Sequence, residues 1–352
     1  MNPTAGRTVA EGERTAGRRS AAWGAGLLLL SVSVVVGYRA ADSDGFTPVP
    51  QLLAFLPWLL APAGAALLLA ALARWRLGLV WGVAVLGALA WYTEPYGKVG
   101  SPGGRAVAEL QVMTANVQFG QGADALVDAI RRYRPDIVFV QECEYTCSAT
   151  LEDAFYGGGS AREGKGKGKG ESEDAGAGGV VYPYRKAVEG RGSEGSLILS
   201  SRRLAPADGV TGTMGMPGAT ADVAGHRVRL QLAHPMPPLP RQLDAWRREL
   251  GALHAYAAAG TSMPTIIAGD FNASQDHAAF RRILDTGLYD GARLAGEART
   301  PTWPARTAPA LGAQIDHVLV SQDFAAHRAR FVDLAGTDHR AVIVDLALHA
   351  RD

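Results

Sequence analysis

Apolar positions follow two regimes along this chain. Between Ala21 and Tyr92 they form long, almost uninterrupted runs, and from about residue 108 onward they form short runs broken by polar residues and glycine. Ala21–Tyr38 is apolar and uncharged, Leu52–Ala73 is a second apolar run with Pro57 and Pro62 inside it, and Leu77–Tyr92 is a third. At about 1.5 Å per residue the third run reaches roughly 24 Å as a helix, a little short of a hydrocarbon core of about 30 Å. Trp75, Trp91 and Tyr92 flank it, where aromatic rings anchor a span at the interfaces. Internal prolines are tolerable where neighbouring helices cover the freed backbone groups. The pattern predicts a transmembrane region of three helices over residues 21–92. A cleaved signal peptide is the alternative for the first run, but two more runs follow at short spacing and no Ala-x-Ala-like site precedes a soluble segment.

The second regime alternates strand and helix signals. Thr93–Arg105, rich in Gly and Pro, reads as a linker. Leu110–Val117, Asp136–Val140, Gly195–Ser200, His226–Leu232, Pro264–Ala268, Ile315–Val320 and Ala341–Leu346 read as strands. In the fourth, Val228, Leu230 and Leu232 alternate with Arg227, Arg229 and Gln231. Gly122–Arg134, Arg241–Ala258 and Asp276–Asp285 read as helices. Strands with helices between and after them predict a layered α/β sandwich. Gly157–Gly179, with its Lys165-Gly166-Lys167-Gly168-Lys169 repeat, is expected to be a disordered insertion, either simply solvated or touching anionic lipid headgroups through its lysines.

Charge adds sidedness. The tail of residues 1–20 carries Arg7, Arg14, Arg18 and Arg19, and the turn between the second and third runs carries Arg74 and Arg76. The loop between the first two runs carries Arg39 with Asp42 and Asp44. Positive residues mark the tail and the second turn as cytoplasmic, so three crossings place everything after about residue 95 outside the cytoplasm of a multi-pass membrane protein. The 352 residues carry a formal net charge of +1, which leaves no overall basic field for nonspecific nucleic-acid binding. Two cysteines, Cys143 and Cys147, give no zinc signature, and their spacing fits one helical face or a small disulfide loop in an oxidising compartment.

The chemistry gathers at strand ends. Gly269-Asp270-Phe271-Asn272 follows the strand Pro264–Ala268, and Asn116, Glu142, His234 and Asp316 stand at the ends of others, with Asp338-His339 in the loop before the last strand. Singly, each has a plainer role: Asn116 can cap a turn, Asp270 and Asn272 can cap the following helix, and Glu142 can be a solvated strand end. Together they supply carboxylates, amides and imidazoles to one rim. That is what metal-assisted cleavage of a phosphate ester needs, and the hard oxygen donors suit magnesium, with manganese as the alternative.

These motifs carry a family resemblance. Asn116, Gln141-Glu142, Gly269-Asp270-Phe271-Asn272, Ile315-Asp316-His317 and Thr337-Asp338-His339 stand in the order seen in the endonuclease/exonuclease/phosphatase superfamily, and Thr302-Trp303-Pro304 is similar too. The resemblance covers about residues 108–348 and implies a DNase I-like, four-layer α/β sandwich. It implies Glu142, Asn116 and Asp338 as metal ligands, Asp270 as the group that orients or deprotonates water, and Asn272 as a donor to the transition-state oxygens. His339 would contact the scissile phosphate with Asp316 holding its ring, and His234 would be the acid for the leaving oxygen. Gln118 stands where some family nucleases carry an acidic residue, which leaves the number of metal ions open.

With its apolar N-terminal region the chain resembles the actinobacterial vancomycin/teicoplanin-resistance membrane proteins of the VanJ type. That implies hydrolysis of a lipid-linked diphosphate such as undecaprenyl diphosphate, with a role in glycopeptide resistance. Pro235–Pro240 would then be an apolar rim or a rigid connector. An anchored extracellular nuclease or other phosphodiesterase is the second reading, and a non-catalytic binding module the third. No basic groove for DNA is evident beyond the Lys-Gly insertion and Arg241, Arg247 and Arg248.

Overall fold

The computed structural model describes residues 3–155, 182–260, 262–307 and 311–350, with side chains from residue 15 onward. The expected insertion at 157–179 lies outside the described residues. The chain divides into two compact units, one of Met1–Tyr96 with Ser274–Arg281, the other of Gly97–Ala273 with Arg282–Asp352.

The first unit is helical. α1 (Pro3–Ala40) is continuous, so the polar tail and the first apolar run form one helix. The second run is not a single span. It folds as α2 (Val49–Ala54), a 3-10 turn over Leu56–Leu59 and α3 (Leu60–Leu72), because Pro57 cannot donate to the helical ladder. α4 (Arg76–Thr93) is the third run. Two helices, Thr15–Ala40 and Arg76–Thr93, are long and apolar enough to cross a membrane, and Leu56–Leu72 is shorter. Among the described residues, then, two helices rather than the expected three are of full spanning length.

α1, α3 and α4 nonetheless pack together around Leu29, Val32, Val35, Leu56, Ala63, Ala66, Val85 and Leu89. The Trp81 indole donates to Ser33 Oγ at 2.9 Å, and the Arg39 guanidinium lies 4.8 Å from the centroid of the Tyr92 ring. These contacts run α4 alongside α1 in the same direction, while Gly24 facing Leu69 shows α3 returning. Arg18, Arg19, Arg74 and Arg76 therefore share one end of this bundle. Its outer face is apolar: Trp23, Leu27, Leu68, Leu72, Leu77, Val80, Val83 and Trp91 are each more than 60% exposed. At its other end residues 39–50 and 96 pack on Ser274–Arg281.

The second unit is an α/β sandwich. β1 (Ala106–Asn116), α5 (Ala123–Tyr133), β2 (Ile137–Gln141), α6 (Tyr145–Phe155), β3 (Tyr184–Val188) and β4 (Ser196–Ser200) come first, followed by β5 (Leu204–Ala207), β6 (Gly218–Val223), β7 (His226–Ala233), α7 (Leu243–Ala259) and β8 (Thr265–Asp270). α8 (Ala278–Asp285), β9 (Tyr289–Asp290), α9 (Gly291–Leu294), β10 (Asp316–Val320), β11 (Phe324–Asp333) and β12 (Arg340–His349) complete the chain. Two mixed six-stranded sheets form, in the orders β11-β12-β1-β2-β4-β3 and β5-β6-β7-β8-β10-β9. Their facing residues, among them Val112, Phe139, Leu230, Ile266, Val318 and Val344, make one core, and α5 and α6 cover the other face of the first sheet. On the second sheet α7 buries Trp246, Leu250, Leu253 and Ala257 along one face, and its Tyr256 ring takes the Arg229 guanidinium of β7 at 4.1 Å. Cys143 and Cys147 are joined as a disulfide at the start of α6.

β1 and β2 are parallel, as are β7 and β8, so each pair delivers its carboxyl ends to one edge. Asn116 pairs with Gln141 and Ala233 with Gly269, while antiparallel β10 sets Asp316 directly across from Asp270.

Candidate active site

The site grows from that edge, all of it within the second unit. Asp270 is the last residue of β8 and 2% exposed. Gly269 before it has φ +154, and a Cβ there would lie 1.9 Å from the Ala233 carbonyl oxygen, so only glycine lets β8 close on β7 at this point. Asp270 Oδ1 accepts from the Asn272 backbone at 2.8 Å, a tight turn that holds Asn272 at φ 47. The Asn272 amide donates to the Pro235 carbonyl at 3.0 Å, and its own carbonyl accepts from the Trp246 indole at 3.1 Å.

Asn116 joins the two sheets' acids. Its Nδ2 donates to Glu142 Oε1 at 3.2 Å and to Asp270 Oδ2 at 3.1 Å, while its Oδ1 accepts from the Gln118 backbone at 3.0 Å. Since a backbone N–H can only donate, this fixes the amide orientation: the nitrogen, not the oxygen, faces the carboxylates. Asn116 thus organises the acids rather than offering them an oxygen. Glu142, in a left-handed turn at φ 56 just past β2, also accepts from the Phe119 backbone at 3.1 Å, and its side chain is 16% exposed.

Two histidines face this acid pair, one cationic and one neutral. His339 Nδ1 lies 2.9 Å from Asp316 Oδ2, and its Nε2 lies 3.8 Å from Asp270 Oδ2 and 4.0 Å from Asp338 Oδ1. Burial pulls the imidazole down, but the Asp316, Asp270 and Asp338 carboxylates outweigh it and push the pKa up to about 10, so His339 is a cation at neutral pH. His234, fully buried after β7, is pushed down to about 3 by burial and by the His339 charge, and stays neutral. Its Nε2 stands 3.8 Å from Glu142 Oε1, and neither ring nitrogen has a hydrogen-bond partner. Asp270 itself is pushed up to about 7, first by burial and then by Asp316, with His339 and two hydrogen bonds opposing. His234 and Asp316 Oδ1, both buried, line the same edge.

Each expected site residue is on this edge. Asp338 is its outermost acid, held by the Trp303 indole at 3.0 Å. Asp270, Asp316 and His339 bring ligand-type atoms within 4.8 Å of one another, beside the expected Asn116, Glu142 and Asp338. Carboxylate oxygens dominate and the cysteines are tied in a disulfide, so the donors fit a hard divalent cation such as magnesium or manganese.

Several supports had no clear signal in the sequence. Trp246 sits at a helix position that reads as ordinary core, and the Phe119 backbone donor is invisible to residue type. Thr302 Oγ1 accepts from the Ile315 and Asp316 backbones at 3.0 and 3.1 Å, which explains the Thr302 of the Thr-Trp-Pro motif. Thr337 Oγ1 ties the His339 loop to the Asn116 carbonyl at 2.8 Å. His317 does not join the edge; its ring bridges Asp290 Oδ2 at 2.7 Å and the Ala273 carbonyl at 3.1 Å, bracing the turn after Asn272.

Residues 113–339 match the sequence profile of the Endonuclease/Exonuclease/phosphatase family. The chain belongs to this family. Members of this family are hydrolases of phosphate esters. Solved structures agree on the fold. Humanized D. rerio TDP2 carrying 14 mutations superposes with a TM-score of 0.52 at 17% identity, covering 68% of this chain and 98% of that one. D. rerio TDP2 complexed with single-strand DNA product gives 0.51 at 16% identity, again covering 68% and 98%. A functionally unknown conserved protein from Enterococcus faecalis V583 gives 0.50 at 14% identity, covering 68% and 100%. No curated protein matches this family member by sequence.

Proposed function

We propose that this protein is a membrane-anchored, metal-dependent phosphohydrolase whose active site lies outside the cytoplasm and acts on a lipid-linked diphosphate such as undecaprenyl diphosphate. The observation that carries the chemistry is the gathering of Asp270, Asp316, Glu142, His339 and His234 on one buried edge, with His339 cationic and His234 neutral. Asp270, brought near pH 7, takes the proton of the attacking water. His339, held cationic by Asp316, and the Asn272 amide meet charge developing on the phosphoryl oxygens. His234, neutral, donates a hydrogen bond from its ring N–H to the leaving oxygen and stabilises the charge that develops there, without giving up its proton. Glu142, Asp338 and the Asp270–Asp316 pair would hold the divalent cation, which when bound neutralises phosphate charge and sharpens the water as a nucleophile.

The first unit supports the rest of the reading. An apolar outer face on α1, α3 and α4 suits lipid rather than water. If α1, α3 and α4 all cross, positive residues at one end and an odd number of passes leave the chain outside after α4. Leu56–Leu72 would cover about 25 Å, close enough to a hydrocarbon core to cross with local thinning. The Cys143–Cys147 disulfide suits an oxidising compartment. Tethering raises the effective concentration of a substrate confined to the bilayer, and Leu239, 49% exposed in the Pro-rich segment beside His234, is apolar. The likeness to the VanJ-type resistance proteins, and with it a role in teicoplanin or vancomycin resistance, extends the same reading.

The test is direct. The purified protein in detergent with magnesium is offered undecaprenyl diphosphate beside plasmid DNA. Phosphate release from the lipid that is lost in Asp270→Ala and His234→Ala is the expected result; DNA nicking without lipid turnover would make the protein an anchored nuclease instead. A reporter enzyme fused after residue 352 that works only in the cytoplasm would overturn the topology.

A further inference from the structure

We infer that the helical unit carries a binding site for one anionic phospholipid, with an acyl chain in a notch between α1 and α4 and the headgroup phosphate against Arg19. The inference rests on the membrane reading of this unit and not on the chemistry of the sandwich edge. The notch, of about 450 Å³, is walled by Arg19, Trp23, Gly26 and Leu30 of α1, by Trp75 just before α4 and by Trp81 within it. Its aromatic wall is fixed in place. The Trp75 ring lies against the Gly78 backbone, where a Cβ would stand 2.1 Å from it. The Trp75 and Trp81 rings meet edge to face with centroids 6.5 Å apart, and Ser33 Oγ holds the Trp81 indole at 2.9 Å. Gly26 leaves the floor open: a Cβ there would come no closer than 3.7 Å to Trp75, ordinary van der Waals contact.

The shape suits a lipid tail. At about 1.5 Å per residue, α1 from Arg19 to Leu30 covers roughly 16 Å, close to half of a hydrocarbon core of about 30 Å. Trp23 is 76% and Leu30 55% exposed, so the notch opens on the outer face of the bundle. Apolar walls left unfilled forfeit their dispersion contacts, and in a bilayer the group at hand to fill them is an acyl chain. Charge then selects the lipid. Arg18, Arg19, Arg74 and Arg76 share this end of the bundle, and the sequence has no Asp or Glu from Thr15 to Tyr38 or from Phe46 to Thr93. Positive side chains with no acid among them on these helices favour a negative headgroup over a zwitterionic one, as basic clefts between membrane helices do. On the proposed topology this end is cytoplasmic, so the occupant is a lipid of the inner leaflet and not the substrate met outside.

The test reconstitutes the full chain in phosphatidylcholine vesicles. Tryptophan fluorescence is followed as dibrominated phosphatidylglycerol, or dibrominated phosphatidylcholine, replaces a minor part of the lipid, since bromine quenches an indole it touches. The anionic lipid is expected to quench at an about fivefold lower mole fraction than the zwitterionic one, on the order of one arginine's contribution. Gly26→Leu keeps every charge but fills the notch, and is expected to bring the two lipids to within about twofold of each other. Arg19→Gln is expected to remove most of the preference. Arg18→Gln is expected to retain most of it, because Arg18 points about 100° away around the helix and does not line the notch. Diffuse attraction to the basic end of the bundle predicts equal losses in the two arginine variants and an undiminished preference in Gly26→Leu, and either result overturns the inference. If Gly26→Leu does not fold, the two arginine variants decide alone. Equal quenching of the wild type by both lipids also overturns it, whereas protein that does not float with the vesicles overturns the membrane reading beneath it.

Discussion

In the helical unit Leu77, Val80 and Trp91 are 76%, 70% and 76% exposed while Ala63, Ala66 and Ala70 are fully buried; in the sandwich Phe139, Ile266 and Val342 are fully buried and so are Asp316 and His234. The first unit packs alanines among a few leucines and valines inside and turns many more large apolar side chains outward, as helices in lipid do. The second packs large apolar residues between sheets and concentrates its buried polar groups at one edge. The same side chain therefore carries a different message in each: an exposed leucine in the bundle points to its solvent, and a buried aspartate in the sandwich points to its chemistry.

The largest expected effect is at that edge. Asp270→Asn removes the base while keeping the turn to Asn272, and hydrolysis is expected to fall by about 1,000-fold or more with the melting temperature little changed. Steady-state kinetics beside thermal unfolding check it, and a variant that keeps a tenth of the activity would return Asp270 to a structural role. Next comes packing. Phe139→Ala is expected to cost about 3–5 kcal/mol, and Val80→Ala in detergent under about 0.5 kcal/mol. Chemical denaturation of the two variants compares them; equal costs would mean that the outer face of the bundle is covered by protein and would break the contrast.

Gly269→Ala comes third. Its Cβ would meet the Ala233 carbonyl at 1.9 Å, and the overpacking is expected to cost about 1–3 kcal/mol as β8 shifts away from β7. A wild-type melting temperature in this variant would show the approach to be loose. The smallest effect is in pH. His339 binds its proton up to about 10 when folded, against 6.5 ordinarily, so its contribution to stability is complete below pH 6.5 and is lost as pH rises through 10. With a chelator present, the melting temperature between pH 7 and pH 10 is expected to fall more steeply in the wild type than in His339→Gln, and parallel slopes would remove the charge from His339.

Interior strands were plain in the sequence because burial writes itself as apolar runs: Ile137–Gln141, Thr265–Asp270 and Asp316–Val320 each lie within a residue or two of their expected limits. Edge strands were not. β3, β5 and β11 are largely half-exposed and carry no clear alternation, and β6, Gly218-Ala219-Thr220-Ala221-Asp222-Val223, is too small-residued to read as a core strand although it is mostly buried. Motif order anticipated that Asn116, Glu142, His234, Asp270, Asp316 and His339 share one edge, yet it could not say which atom of Asn116 faces the acids, because that depends on the Gln118 backbone. In the helical unit, hydropathy saw the length of the second run and not its interruption, which Pro57 imposes locally.

The short helix α3 makes no contribution to the chemistry, yet on the proposed topology it decides where the chemistry happens. With the arginines holding one end of the bundle, sidedness reduces to counting passes as odd or even. A chain in which Leu60–Leu72 lay along the membrane surface would carry an intact active site into the opposite compartment. The compartment in which this enzyme works would then be written in its least conspicuous helix.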